Sequence, residues 1–302
     1  MIKRKGIILA GGNGSRLYPA TSSVSKHILP IFDKPMIFYS LSTLMLANIK
    51  DILIISTSRD INLYKNLFGN GKELGLDINY AIQYEPKGIA EAFIIGKKFI
   101  NNQPSALILG DNFFYGESFQ KKILKVSKNI NQSTIFSYRV ADPQNYGVIQ
   151  YKKNTKKLDS IVEKPKIPKN DEIVTGLYFY DKNVTKFVSK IKPSKRKELE
   201  ITDINNIYLK KGLMCVERLG RGFTWFDTGT PENIFEASNF VSSIEKRQGL
   251  KIGCIEEISY LKKYINKKQL LKIIQKYTNS QYGNYLKKLI SWLLKKLIIL
   301  IF

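Results

Sequence analysis

The stretch GIILAGGNGSRLYPATSSVSK, residues 6–26, decides the fold of this chain. A short apolar run is followed at once by three glycines, Gly11, Gly12 and Gly14, and Arg16 stands just beyond them. An apolar run of this length that stops at glycines is typical of a buried strand in a parallel sheet, followed by a tight turn. The stretch therefore predicts the first strand of an α/β fold.

The glycine turn also has the composition of a phosphate-binding loop. Because glycine has no Cβ, backbone N–H groups can surround an anion there. Arg16 offers planar paired donors to phosphate oxygens, and Lys26 adds a compact positive charge. The stretch is not a P-loop, because no Gly-Lys-Ser/Thr ends it, and it is not a dinucleotide fingerprint, because Leu17 stands where a third glycine belongs. A plain turn with a surface arginine is the alternative, and Lys26 together with the Lys-Pro pair at 34–35 favours phosphate binding.

Strand-type runs alternate with helix-type patterns in the first 110 residues. Strands are predicted at 6–10, 51–57, 78–83 and 105–110, and helices at 35–48, 62–68 and 88–100. Such alternation implies a mostly parallel sheet with crossover helices.

The rest of the chain changes character. Residues 133–181 are richer in strands, 230–249 predict a long helix with Thr230 as its N-cap, and the pattern from about 255 onward is helical. We therefore predict an α/β protein with a mixed, mostly parallel, Rossmann-like sheet flanked by helices. Its core spans 1–230, and a C-terminal helical region with a basic apolar tail spans 231–302.

Composition limits the class of protein. The 302 residues carry a formal net charge of +24, and the two cysteines, Cys215 and Cys254, have no paired spacing. We therefore expect neither a disulfide framework nor a zinc site, and glycines interrupt the opening apolar run too early for a signal peptide, so a cytoplasmic location is expected. The charge would suit a nucleic acid. Because the lysines are spread along the whole chain, compositional drift is the favoured explanation and no nucleic-acid partner is expected.

Two polar residues stand at the carboxyl ends of predicted strands. Asp111 comes just after the run ALILG, at the carboxyl end of a strand, where open α/β sheets bind ligands. Gln83 ends another strand, and its amide has a donor and an acceptor that can read the edge of a pyrimidine. A turn role for the aspartate and a surface position for the glutamine are the alternatives.

A series of motifs occurs in a fixed order along the chain. They are GGxGSRLYP…VSK…LPIxDKPMI from residue 11, LGDNFFYG (109–116), DPQNYGVIQ (142–150), EKP (163–165), VTGLYFYD (174–181), ELEITDIN (198–205) and RGFTWFDTGTPE (221–232). Over about residues 5–289 the sequence resembles the sugar-1-phosphate nucleotidylyltransferases and, within them, the glucose-1-phosphate thymidylyltransferases. The resemblance implies the nucleotide-diphospho-sugar transferase type of fold.

The resemblance also implies a reaction. It predicts an enzyme that uses Mg²⁺ to transfer dTMP from dTTP to glucose 1-phosphate, giving dTDP-glucose and pyrophosphate for deoxysugar synthesis of the dTDP-rhamnose type. It implies a homotetramer. Mg²⁺ suits a site with few carboxylates plus phosphates and waters.

The roles implied for single residues fall into four groups. The metal is assigned to Asp111 and Asp227, and catalysis to Arg16, Lys26 and Lys164. The nucleotide is assigned to Leu9, Gly11, Gly12, Gly14, Ser15, Arg16, Gln83 and Gly88. The sugar phosphate is assigned to Tyr146, Gly147, Glu163, Lys164, Val174 and Thr175.

Some positions depart from the commonest pattern of that family. Tyr84 and Lys87 stand beside Gln83 in place of a common proline and aspartate, which leaves UTP open as the nucleotide. His27 and Glu91 each replace a glutamine, and we expect His27 to be a structural hydrogen bonder. A non-catalytic sensor of nucleotide sugars is a second alternative, which the retained Asp111 and Asp227 disfavour.

The end of the chain, SWLLKKLIILIF (291–302), predicts a helix with lysines on one side. It is shorter than the roughly 20 apolar residues that a bilayer span needs. Two interpretations remain: packing on this protein or a neighbouring subunit, and a weak contact with a membrane surface.

Overall fold

The computed structural model describes residues 3–152, 155 and 157–299, with side chains up to Ser291. The strands are β1 (Lys5–Ala10), β2 (Pro30–Ile31), β3 (Lys34–Pro35), β4 (Asp51–Ser56), β5 (Asp77–Ile82), β6 (Ser105–Leu109), β7 (Asn112–Gly116), β8 (Ser133–Arg139), β9 (Gly147–Tyr151), β10 (Leu158–Glu163), β11 (Glu172–Tyr180), β12 (Met214–Arg218) and β13 (Phe223–Asp227). The helices are α1 (Ile37–Leu46), α2 (Ile61–Phe68), α3 (Glu91–Ile95), α4 (Lys97–Ile100), α5 (Phe119–Lys128), α6 (Val184–Val188), α7 (Ile201–Lys210), α8 (Pro231–Gln248), α9 (Ile255–Leu261), α10 (Lys267–Gln275) and α11 (Gln281–Ile299).

One large mixed sheet organises the molecule. Its strands lie in the order β10-β9-β11-β6-β1-β4-β5, and β8 with β12 continues it along the other side of β11. Strands β6, β1, β4 and β5 are parallel neighbours, whereas β11 runs antiparallel to β6, β8 and β9. The predicted fold class is confirmed. The parallel block brings the carboxyl ends of β1, β5 and β6 to one edge, where the candidate residues follow.

The central strand is buried on both faces. Ile7 and Ile8 are both fully buried, but they belong to different hydrophobic clusters on opposite sides of the sheet. Successive side chains of a strand point to opposite faces, so a strand covered by helices on both sides must be apolar throughout. This explains the continuous apolar run of β1.

The predicted elements agree with the structure in most places. The four early strands are confirmed to within about one residue, and Thr230 caps α8 by accepting a hydrogen bond from the backbone N–H of Asn233 at 3.3 Å. The predicted helix at 88–100 is instead two short helices, α3 and α4, that meet at Gly96. A Cβ at Gly96 would lie 3.2 Å from Ile7, so the helical segment packs closely on β1 there.

The C-terminal helices belong to the same core as the sheet. Ile255, Leu270 and Leu286 lie in one hydrophobic cluster with Ile8. The predicted tail helix is present as the backbone of α11 to Ile299. The choice between packing and membrane contact depends on side chains of 292–302, which lie outside the described residues. Over the part of the chain that the structure describes, every helix is too short or too polar to cross a membrane.

Candidate active site

The turn after β1 has the backbone geometry that its glycines predict. Gly12 and Gly14 have φ angles of 87° and 61°, in the left-handed region that residues with a Cβ rarely adopt. A short 3₁₀ helix, Ser15–Leu17, follows and carries Arg16. Leu17 is buried whereas Arg16 is exposed, so the guanidinium extends from an anchored turn.

Asp111 is held between a cation and an amide. The Lys26 ammonium donates to Oδ2 of Asp111, and the Asn112 side-chain amide donates to Oδ1 at 3.0 Å. Burial is the largest single influence and raises the pKa of the Asp111 carboxyl, but neighbouring Lys26 and His27 and the hydrogen bonds from Lys26 and Asn112 together hold that pKa below its usual range. Asp111 is therefore ionised and fixed in orientation.

Asp227 reaches the same place through strand pairing. Strands β7 and β13 form an antiparallel ribbon in which Asp227 is the partner of Asn112, so Asp227 lies next to Asp111 across the ribbon. Burial and then the negative charge of Asp111 raise the pKa of Asp227 to about 6. Two carboxylates from segments over 100 residues apart thus meet at the edge of the large sheet.

Three cations surround this carboxylate pair. The charges of Lys26, Arg16 and Lys164 all act on Asp227. A Cβ at Gly229 would lie 2.7 Å from Nη2 of Arg16 and 3.1 Å from Oδ1 of Asp227, so glycine allows the guanidinium to approach the carboxylate. The structure brings together all five residues predicted for metal binding and catalysis.

Lys164 has a strained backbone. Its φ is 42°, although it is not a glycine, and its N–H donates to the carbonyl of Tyr146 at 3.0 Å. Left-handed conformations of residues other than glycine cluster at functional sites, where the surroundings hold them in place. The strain is consistent with a lysine whose direction matters.

Two cavities meet at Asp111. A smaller one of about 210 Å³ is lined by Leu9, Gly11, Gly12, Gln83 and Gly88. A larger one of about 850 Å³ is lined by Arg16, Tyr146, Gly147, Glu163, Lys164, Val174 and Asp227. Asp111, Leu109, Ile89 and Glu198 line both. The cleft therefore has two compartments: five of the predicted nucleotide residues line the smaller one, whereas Arg16 and five of the predicted sugar-phosphate residues line the larger one.

The larger compartment contains a carboxylate suited to hydroxyl groups. Glu163 accepts a hydrogen bond from the Thr202 hydroxyl at 2.5 Å and lies 3.5 Å from the Arg196 guanidinium. Tyr146 packs edge-on against Trp225, with ring centroids 5.4 Å apart, and burial raises its pKa to about 12. The compartment thus combines an aromatic wall with an acceptor-rich carboxylate.

Four predicted residues lie elsewhere. Gly14 and Ser15 lie outside both cavities and shape the turn instead. The Thr175 hydroxyl donates to the carbonyl of Phe136 at 3.0 Å, because alternation along β11 turns it to the face opposite Val174. Lys34, expected to favour phosphate binding, is buried and pairs with Glu245 at 3.1 Å.

Among the lining residues that sequence reasoning did not single out, Asn112 and Arg196 make notable contacts. The Oδ1 atom of buried Asn112 accepts from the Trp225 indole N–H at 2.7 Å and from the Gly176 backbone N–H at 3.0 Å, which ties β13 and β11 to β7. Arg196 lines the larger cavity and pairs with Glu198 at 2.7 Å. Asn112 could have been noticed, since it follows Asp111 directly. Nothing local distinguishes Arg196 in its lysine-rich segment.

The residues present fit a divalent cation. Burial and the neighbouring charge of Asp111 both raise the pKa of Asp227, and a hard cation bound between the two carboxylates would favour the ionised form of both. Oxygen donors from two side chains leave room for phosphate oxygens and water, as Mg²⁺ sites commonly do.

Comparison with known proteins shows which family the chain resembles. Residues 5–244 match the family model described as nucleotidyl transferase, a family whose enzymes generally use a divalent metal ion. The chain is 47% identical over 287 residues to the glucose-1-phosphate thymidylyltransferase of Neisseria meningitidis, covering 95% of this chain and 99% of that protein. It is 46% identical over 287 residues to the enzyme of the same name from Mycolicibacterium smegmatis, with the same coverage.

Solved structures agree with the sequence matches. A crystal structure from Bacillus anthracis, named as a glucose-1-phosphate thymidylyltransferase in complex with sucrose, superposes with a TM-score of 0.72 at 37% identity. The superposition covers 78% of this chain and 94% of the Bacillus anthracis chain. A UDP-glucose pyrophosphorylase bound to UDP-glucose superposes with a TM-score of 0.70 at 27% identity, covering 82% of this chain and all of that one.

Proposed function

Because this chain belongs to the nucleotidyl transferase family, we propose that it is an enzyme that transfers dTMP from dTTP to glucose 1-phosphate and releases pyrophosphate. The observation that carries the proposal is the meeting of Asp111, Asp227, Arg16, Lys26 and Lys164 between the two compartments of the cleft. In this arrangement the triphosphate lies over the glycine turn, the base enters the smaller compartment and glucose 1-phosphate enters the larger one.

The attacking group needs no base from the protein. A phosphate monoester has a second pKa of about 6, so it is already mostly a dianion at neutral pH. One of its oxygens forms a bond to the α-phosphorus of dTTP, and the bond from that phosphorus to the bridging oxygen of the β-phosphate breaks. Pyrophosphate leaves with the electron pair, and no proton has to be removed first. A buried, neutral His27 at the cleft is compatible with this chemistry.

The protein's contribution is positioning and charge. Arg16 and Lys26 would neutralise charge on the triphosphate and on the departing pyrophosphate. Lys164 would hold the sugar phosphate against the α-phosphorus, with Tyr146, Gly147, Glu163 and the backbone at Val174 around the sugar. The same cations that now offset Asp111 and Asp227 would thereby exchange partners.

Mg²⁺ is the metal we propose at this site. Asp111 and Asp227 would hold it, and when bound it would offset charge on the triphosphate oxygens.

Finer features are proposed from the likeness to the named relatives. These are the use of the product for dTDP-rhamnose-type deoxysugars, a homotetramer and a cytoplasmic location. A weak contact of the C-terminal tail with a membrane surface is proposed from its lysine-containing apolar sequence. The nucleotide is proposed to be dTTP, with UTP as the competitor that Tyr84 and Lys87 leave open.

The test is a pyrophosphate-release assay across dTTP, UTP and dCTP with glucose 1-phosphate and with other sugar 1-phosphates. We expect the fastest release with dTTP and glucose 1-phosphate. Faster release with UTP would replace the thymidylyl assignment by a uridylyl one. Absence of release with every pair would contradict the proposed function.

A further inference from the structure

The amide of Gln83 is fixed by a residue outside the cleft. Its Nε2 donates to Oε2 of Glu91 at 2.7 Å, and the same carboxylate oxygen accepts from the backbone N–H of Lys87 at 3.3 Å. Glu91 is the first residue of α3, and it lines neither the smaller nor the larger cavity. Glu91 can therefore act on a ligand in the cleft only indirectly, and its hydrogen bond to Gln83 provides a route.

The chemistry of Glu91 decides which end of the amide faces the ligand. An ionised carboxylate only accepts hydrogen bonds, so only the NH₂ end of Gln83 can face it. The Oε1 end then lies over Gly11, where an added Cβ would collide with it. Both Gln83 and Gly11 line the smaller cavity, and Gln83 is buried. The cavity consequently presents a fixed acceptor.

A fixed acceptor selects among pyrimidine bases. Thymine and uracil carry an N–H donor at ring position 3, whereas cytosine carries a bare acceptor nitrogen there. Placing two acceptors face to face leaves both without a hydrogen bond in a buried site, which is costly. A site built to hydrogen-bond one group discriminates strongly against an analogue that lacks it.

We propose that Glu91 is a positioning residue that makes this chain accept thymine or uracil nucleotides and reject cytosine nucleotides, by holding the Gln83 amide in one orientation. The inference rests on the proposed function, in that the smaller compartment receives the base. A glutamine at 91 would keep the same orientation while its amide oxygen accepts from the backbone N–H of Lys87, because that oxygen then also faces the NH₂ end of Gln83. A side chain without an acceptor at this position would leave Gln83 free to turn.

Two variants separate orientation from mere packing. Glu91→Met keeps the length and helix propensity of the side chain but removes the acceptor, so that Gln83 can turn its NH₂ end to the cavity. We expect the ratio of kcat/KM for dTTP to that for dCTP to fall at least tenfold. The kcat with saturating dTTP should change little, because the phosphate residues are untouched. Glu91→Gln is the matched control, since its amide oxygen can accept the same two hydrogen bonds, and its ratio should stay close to that of the parent chain.

Calorimetric binding of dTTP, UTP and dCTP in the presence of Mg²⁺ gives a second readout that needs no turnover. A parent-like base preference in folded Glu91→Met, by turnover or by binding, would overturn the proposal. So would a loss in Glu91→Gln equal to that in Glu91→Met, because charge rather than orientation would then decide. If the parent chain binds these nucleotides with the expected preference but releases no pyrophosphate, the proposed function fails while this inference stands.

Discussion

His27 lies neutral beneath the phosphate turn. Its Nδ1 lies 3.2 Å from the Ser25 hydroxyl and 3.3 Å from the Tyr64 hydroxyl, and the ring is almost fully buried. Burial, and secondly the Lys26 charge, lower the pKa of His27 to about 3. The structural role expected for this residue agrees with its surroundings, and it has a consequence for acid stability.

The folded chain should lose stability in mild acid because of His27. Below the ordinary histidine pKa of 6.5 the unfolded chain binds a proton that the folded chain does not bind, so stability falls as the pH drops from about 6.5 toward 3. Between pH 7 and pH 5 this loss is about 2 kcal/mol. His27→Gln should lack it, and urea unfolding of both proteins at the two pH values measures the difference. Equal pH dependence in both would contradict the buried neutral state.

Local chemistry made part of the site predictable. The positions of Gly12, Arg16 and Asp111 at the cleft were predictable because they follow from a preceding strand and a short motif. Lys34 was not, because its role is decided by Glu245, which lies 211 positions further along the chain. Thr175 illustrates a different limit: the motif predicted the segment correctly, but the period of two along β11 decides which side chain enters the cleft.

At the level of strands, the ribbon of β7 and β13 brings Asp227 beside Asp111. A two-stranded ribbon alone is marginally stable, so its ties to the large sheet matter. Asn112 supplies them, through the Trp225 indole on β13 and the Gly176 backbone on β11. The sequence identified Asp227 only through resemblance, because no local pattern reveals which strand β13 will pair with.

Trp225→Phe should loosen this ribbon. The change removes the indole N–H and part of the aromatic wall, and we expect the free energy of unfolding to fall by about 1–2 kcal/mol. Pyrophosphate release should fall as well, since Asp227 lies at the end of the same strand. Denaturant unfolding and the release assay together measure both effects. Parent-like values in both assays would show that the Asn112–Trp225 hydrogen bond does not organise the site.

Across the whole molecule, a buried charge network joins the C-terminal helices to the early chain. Glu245 of α8 accepts from Lys34 at 3.1 Å and from Lys251 at 2.9 Å, and Lys251 also pairs with Asp33. Lys34 is 3% exposed and Glu245 is 7% exposed. Lys34 also pairs with Asp33 at 2.5 Å, so removing Glu245 leaves two ammonium groups, one of them buried, to share a single carboxylate.

Glu245→Ala should therefore destabilise the fold by about 3–5 kcal/mol. The matched control is Glu73→Ala, which breaks the exposed Glu73–Lys276 pair between the same two halves of the chain and should cost less than about 1 kcal/mol. Urea unfolding of both variants makes the comparison. Similar losses in the two variants would contradict the importance of the buried network.

The strands and helices were more predictable from the sequence than the way in which they pack against one another. Apolar runs such as that of β1 predicted the strands of the sheet, and the N-cap residue Thr230 predicted the start of α8. Whether the helices after residue 230 stand apart could not be read from periodicity, because an amphipathic pattern gives the apolar face but not its partner. The structure packs Ile255 and Leu286 in one cluster with Ile8.

The most direct test of the account is the rate of pyrophosphate release at saturating dTTP, glucose 1-phosphate and Mg²⁺ by Asp111→Asn and Asp227→Asn. The control is Asp142→Asn, which changes an exposed carboxylate that lines the larger cavity. With folding verified by thermal unfolding, the account predicts that each of the first two variants loses at least ~100-fold in kcat while the control keeps most of its activity. Release by folded Asp111→Asn or Asp227→Asn at the parent rate would contradict the claim that these two carboxylates hold the metal-bound triphosphate.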